Sequence, residues 1–200
     1  MFKKSLLVFC FALSLISLSG CGEKQFTKGE YDDVDQENLL NDKWSETDMQ
    51  KAVSELAQSL LASRVIAEAK RPPIVMVTRL ENKTSEIIET KNITSMLMVE
   101  LTQSGKAQFV DKDARQDVAD EYEYQNSGMV SKESKKGPGG QIGADYILNG
   151  RIDSIVQEVG KDKTVYYKLS FNLSNMKTTL IEWAGQKQIR KKFKKKRVSG

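Results

Sequence analysis

Apolar residues along this chain change period as it proceeds, and the changes mark out its elements. Met49, Ala52, Val53, Leu56 and Leu60 fall at i, i+3, i+4, i+7 and i+11, which is one face of a helix. Ser45-Glu46-Thr47-Asp48 has the form of a capping box, with Ser45 satisfying an orphan N–H, an acid at N3, and Trp44 and Met49 placed as a hydrophobic staple. The pattern predicts a helix from there to about Lys70, stopped by Arg71-Pro72-Pro73. Ile74-Val75-Met76-Val77-Thr78-Arg79-Leu80 is apolar on both faces at its start, as expected of a buried strand. Glu81, Asn82, Lys83, Thr84, Ser85 and Glu86 then read as a turn. In the second helix Ile93, Met96, Leu97 and Leu101 share a face, and Gly105 takes the position just beyond its end. A short strand, Ala107 to Val110, precedes a third helix capped by Asp111 or Asp113, with Ala114, Val118 and Tyr122 spaced by four.

After a loop from Asn126 to Gly143 the period drops to two. Its Gly137-Pro138-Gly139-Gly140 is no phosphate loop, because no Gly-Lys-Ser/Thr follows. Tyr146, Leu148, Ile152 and Val156 fall on one face of a long strand. Past a turn at Gly160 to Lys163, Val165, Tyr167, Leu169, Phe171 and Leu173 alternate with Tyr166, Lys168, Ser170, Asn172 and Ser174. A turn near Asn175-Met176-Lys177 opens a last strand through Thr179, Ile181 and Trp183. The order α-β-α-β-α-β-β-β predicts an α/β fold: a mixed sheet with a C-terminal antiparallel meander, packed by about three helices.

Composition narrows the chemistry. The chain has no His and two Cys, Cys10 and Cys21, so a disulfide framework within the domain, a Cys/His metal site and His-dependent acid–base chemistry are excluded by count. No cofactor and no metal is expected. Lys3 and Lys4 precede an apolar run of 13 residues, Leu6 to Leu18, shorter than the roughly 20 that a spanning helix needs. The run reads as a signal peptide, and Leu18-Ser19-Gly20-Cys21 resembles a lipobox, which predicts lipidation at Cys21 and removal of residues 1–20. The mature chain then carries +2, but eight basic residues and no acid between Lys187 and Arg197 leave −6 on residues 21–186.

Residues 21–43 are polar, acid-rich and without apolar periodicity, and read as a tether. About 22 residues span roughly 26 Å on average, and at most about 75 Å when straight. The expected division is signal peptide 1–20, acidic tether 21–43, globular domain 44–190 and basic tail 191–200. In an exported chain the tail suits an anionic envelope polymer rather than nucleic acid.

Two enzymatic strings fail on context. Ser174-Asn175-Met176-Lys177 matches Ser-x-x-Lys, which needs the Ser at a helix start with the Lys one turn on, whereas here both fall at a hairpin turn. Asp32/Asp33, Asp111/Asp113 and Glu121/Glu123 lie in the tether or around an amphipathic helix, where charge solvates a face. Asp145 and Asp153 border strands and read as caps or pairing groups. No catalytic residue is assigned.

An ordered series of segments carries a family resemblance. The lipobox, Pro73-Ile74-Val75-Met76-Val77 with Glu81 to Glu86 and Thr90-Lys91-Asn92-Ile93, Ser104-Gly105-Lys106 with Phe109-Val110-Asp111, Ala144 to Gly150, and Trp183 with Gln186 to Lys191 together resemble the LpoB-type penicillin-binding-protein activators. The resemblance implies an outer-membrane lipoprotein facing the periplasm. Its domain would be similar to the N-terminal domain of TolB, and would bind and stimulate a class A penicillin-binding protein in peptidoglycan synthesis. Gly22, rather than Asp, after the lipidated Cys agrees with outer-membrane sorting. Contacts usually come from loops on a rigid scaffold, which points to Glu81, Asn82, Lys83, Thr84, Ser85 and Glu86, and to the glycine-rich loop up to Gly143, as partner-binding segments. The alternative is a structural lipoprotein subunit of an outer-membrane assembly, curli-secretion-like or flagellum-associated.

Overall fold

Helix α1, Glu46–Leu61, starts where its cap predicts: Asp48 N donates to Ser45 Oγ at 3.3 Å and Ser45 N donates to Asp48 Oδ2 at 3.0 Å. The computed structural model describes residues 29–195, in two compact units divided after Asp35. In the first, aspartate side chains hold a short acidic turn, Asp32 accepting from Asp33 N and Asp33 from Asp35 N. Every helix and strand among the described residues lies in the second unit.

The helix expected to reach Lys70 stops at Leu61. Ser63 is extended (φ −66°, ψ 151°), and a four-residue helix α2, Arg64–Ala67, follows and buries Ile66. A strand, β1 (Ile74–Lys83), leads through a turn to α3 (Thr90–Gln103), which ends at Gly105 in the left-handed region (φ +68°) as its position predicts. The next strand, β2, is only Gln108–Phe109, and it is followed by α4, Ala114–Asn126. Asp113 is the N-cap of α4 by position, but Asp111 caps it chemically, accepting from Asp113 N and Ala114 N. Ala114, Val118 and Tyr122 do share a face, yet they are only half-buried and α4 buries no residue fully.

Strands β3 (Tyr146–Val159), β4 (Asp162–Asn175) and β5 (Ile181–Lys194) complete a five-stranded sheet in the order β2-β1-β3-β4-β5. β1 runs parallel to both β2 and β3, and β3-β4-β5 is the antiparallel meander that the alternation predicts. In β1 an extra residue between Val77 and Leu80 is absorbed as a bulge against Leu148 and Gly150, so Leu80 returns to the buried face.

Helices α1 and α3 pack together on one face of the sheet. Val165, Tyr167, Leu169, Phe171 and Leu173 all point into that core, as their alternation predicts. Phe171 is flanked by Gly150 of β3 and Gly185 of β5. A Cβ at Gly150 would lie 2.7 Å from Phe171 Cδ1, and one at Gly185 would lie 2.7 Å from Trp183 Cη2 and 3.0 Å from Leu56 Cδ2. The two glycines thus leave the space that the large rings fill.

Two sequence readings need correction. Val156 shares the parity of Leu148 and Ile152 but is 47% exposed, at the end of β3 beyond the buried core. The last strand runs to Lys194, so the boundary at residue 190 cuts through it. Lys191 to Lys194, read as the start of the basic tail, are sheet residues, and Lys191 is 5% exposed. The opposite face of β3, β4 and β5 is open: none of its outward residues is buried.

Candidate functional site

Lys191 is the centre of a polar network where the N-terminal approach joins the domain. Its ammonium donates to Asp48 Oδ2 at 2.7 Å and to the carbonyl of Lys43, and lies 5.4 Å from the Tyr167 ring centroid. Asp48 is 5% exposed and is also the N3 acid of the capping box, so one carboxylate serves the helix start and the last strand. Tyr167 OH donates to Glu86 Oε1 and, at 3.2 Å, to the Asp42 carbonyl. Burial, and then the neighbouring Glu86 carboxylate, hold this phenol well above its ordinary pKa, so it remains a donor. Glu86 Oε2 accepts from Trp44 N at 2.9 Å, and the Trp44 ring meets Tyr167 edge-on at 5.4 Å between centroids.

Outside this buried centre, half-buried and exposed contacts extend the seam. The Lys163 ammonium pairs with Asp42 and, at 3.2 Å, with Glu158. Its hydrogen bond holds the Asp42 carboxyl below the usual carboxylate range, and the two acids, Asp42 first, hold Lys163 above its own. Asn38 N donates to Thr47 Oγ1 at 3.0 Å and Lys51 pairs with Glu37 at 2.6 Å. The last residues assigned to the tether, from Glu37 to Lys43, are therefore docked on the domain.

The segment Glu81 to Glu86 divides in two. Glu81, Asn82 and Lys83 extend β1 instead of turning, and Glu81 pairs with both Arg79 and Lys83, the latter at 3.0 Å. Lys83 and then Arg79 hold the Glu81 carboxyl low. The turn proper is built by side chains: Asn82 Nδ2 donates to Glu86 O at 2.8 Å, Asn82 Oδ1 accepts from Thr84 N at 2.9 Å, and Thr84 Oγ1 accepts from Glu86 N at 3.1 Å. Asn82, Thr84 and Glu86 are thus committed to the fold, while Lys83 and Ser85 are exposed and the adjacent Ile87 is fully exposed. Cys21 lies outside the described residues.

The other candidates have structural partners. Asp145 accepts from Ile74 N and Arg71 Nη2, each at 2.9 Å, and Asp153 pairs with Arg151 at 3.1 Å. Ser174 lies in β4, and Lys177 lies in the turn after it, where its N–H donates to Asn175 Oδ1. Among the described residues no group of three or more His, Cys, Asp or Glu could hold a metal ion, and no helix is long and apolar enough to cross a membrane. Sequence reasoning missed the Lys191 network and Ile87. The available signals were Phe193 two residues beyond Lys191, in phase with Ile189, and the apolar pair Ile87-Ile88 in a polar turn.

Fold and site together define a small mixed α/β domain with a rigid turn and a seam that clasps its own N-terminal approach. The family model described as peptidoglycan-synthase activator LpoB matches residues 48–189, and the chain belongs to that family. Among solved structures, the LpoB C-terminal domain from Salmonella enterica is 17% identical, covering 71% of this chain and 98% of that one, with a TM-score of 0.46. The corresponding Escherichia coli domain is 17% identical with the same coverages and a TM-score of 0.45. The NMR structure of E. coli LpoB is 14% identical over 85% of this chain and 83% of that one, with a TM-score of 0.42. No curated protein matches the sequence.

Proposed function

We propose that this chain is an outer-membrane lipoprotein, anchored through Cys21, whose domain binds a class A penicillin-binding protein in the periplasm and stimulates it without catalysing a reaction itself. The observation that carries the reading is the family match over residues 48–189, which takes in α1, the turn and nearly all of the sheet. The lipobox at Leu18 to Cys21 supports the anchor. With Glu37 to Lys43 docked, the sixteen residues from Cys21 to Gln36 reach at most about 55 Å. The synthase meets the domain within that distance of the anchoring membrane. Cys21→Ala is expected to remove the protein from the outer-membrane fraction, because among the described residues no helix is long and apolar enough to cross a bilayer. Persistence of the variant in the outer membrane overturns the anchor, once crosslinking has shown that no partner retains it.

The contact assigned to the synthase is the exposed surface at the turn: Lys83 at the end of β1, then Ser85 and Ile87. An exposed aliphatic on a hydrogen-bonded turn presents apolar area at little ordering cost. The test uses purified class A synthase with labelled lipid-linked precursor. Wild type is expected to raise product formation. Ile87→Ser is expected to weaken the stimulation about tenfold while leaving the unfolding midpoint unchanged. Product formed by the chain alone defeats the non-enzymatic part of the reading. Absence of stimulation, together with self-assembly, moves the weight to a structural subunit.

A further inference from the structure

The open sheet face is ordered in cross-strand rows. Asn149, Asn172 and Ala184 form one; Arg151, Ser170 and Gln186 the next; then Asp153, Lys168 and Gln188; Ile155, Tyr166 and Arg190; and Gln157, Thr164 and Lys192. At the β3–β4 hairpin end the last two of these rows, with Gln188, line an open groove of about 520 Å³. Its charge is one-sided. Asp153 is already taken by Arg151 and Lys168. Lys191 and Lys195, beside it in sequence, have carboxylate partners. Arg190 and Lys192, which point into the groove, have none among the described residues. Arg190 sits 5.9 Å from the Tyr166 ring centroid, which holds its planar fork over the groove.

We propose that this groove binds a carboxylate-bearing glycan strand of the cell wall. Amides donate and accept at once, as Gln157 and Gln188 would toward sugar hydroxyls and N-acyl groups. Tyr166 and Ile155 offer an apolar platform to the C–H face of a sugar ring. Arg190 and Lys192 supply the countercharge to its carboxylates, Arg190 in bidentate form. A protein partner would be expected to meet an apolar, aromatic core depleted in charge. Here one Tyr and one Ile stand among amides, hydroxyls and cations. The groove shares its sheet face with Lys83, which pairs with Asp153 across β1 and β3, so the test leaves the synthase out and its outcome does not depend on that assignment.

The test is co-sedimentation of the full-length chain in detergent with purified insoluble cell-wall sacculi, synthase absent. The wild type is expected to pellet, and to do so less as salt rises from about 50 to about 300 mM, since the screening length of exposed charges falls from about 14 to about 6 Å over that range. R190Q/K192Q is expected to cut retention about tenfold. The control pair R115Q/K132Q, which removes the same charge from α4 and the following loop, is expected to leave retention unchanged. Both double variants should melt as the wild type does, since all four side chains are exposed. No pelleting of the wild type, or equal loss in the two doubles, overturns the proposal. R190Q/K192Q that binds sacculi like the wild type but no longer stimulates the synthase also overturns it, and makes the face a protein interface instead.

Discussion

Phe171→Ala is expected to destabilise the domain by about 3–5 kcal/mol, whereas Asn172→Ala next to it should change stability by no more than about 0.5. The ring of Phe171 is 1% exposed and lies between Gly150 and Gly185, which contribute no side chain to close a gap. Removing it leaves a cavity lined by two glycines and by neighbours locked in their own packing, so the site relaxes little. Asn172 points to the open face. Urea unfolding of the two variants at constant m-value measures the contrast; equal midpoints would mean that the face assignment of β4 is wrong.

Lys191→Met is expected to cost about as much, roughly 3–5 kcal/mol, because it leaves a buried carboxylate without its counterion. Asp48 would keep Ser45 N as a donor, but the Lys43 carbonyl would lose the ammonium. Lys192→Met, one residue on and exposed, should stay within about 0.5 kcal/mol. A second readout separates the network from general packing: amide exchange and proteolysis should rise selectively between Asn38 and Trp44 in Lys191→Met, because Lys191, Tyr167 and Glu86 together hold that stretch. Uniform loosening of the whole domain would argue against a local clasp. Deleting the basic C-terminus to test its charge alone must begin after Lys194, since a cut at Lys191 removes a buried ion pair and four residues of β5.

The elements that could be read in the chain are those whose signal is local. The Ser45–Asp48 box sets a helix start through groups three residues apart, and Val165 to Leu173 alternate so regularly that face and strand follow together. Helix α4 shows the opposite case: its spacing is amphipathic, but how deeply a stripe is buried depends on what packs against it, and this one stays half-buried. For the turn after β1, residue types marked the right place. They did not separate Glu86, which is committed to Trp44 and Tyr167, from Ile87, which is free.

By itself the sequence determined an α/β chain with a C-terminal meander, a core-facing set on β4, and a composition without His that leaves no Cys/His zinc site and no His-dependent triad. Tertiary structure alone decided the fate of the basic C-terminal run. In β5 the inward positions Lys187, Ile189, Lys191 and Phe193 alternate with outward Gln188, Arg190, Lys192 and Lys194, but four lysines and an arginine within eight residues hide a period of two under uniform charge. A lysine is buried only where a carboxylate and a carbonyl meet it out of water. Those partners, Asp48 and Lys43, lie 143 and 148 residues away along the chain. No local pattern encodes a pairing of that range, because the geometry that creates it exists only once α1 has packed against the sheet.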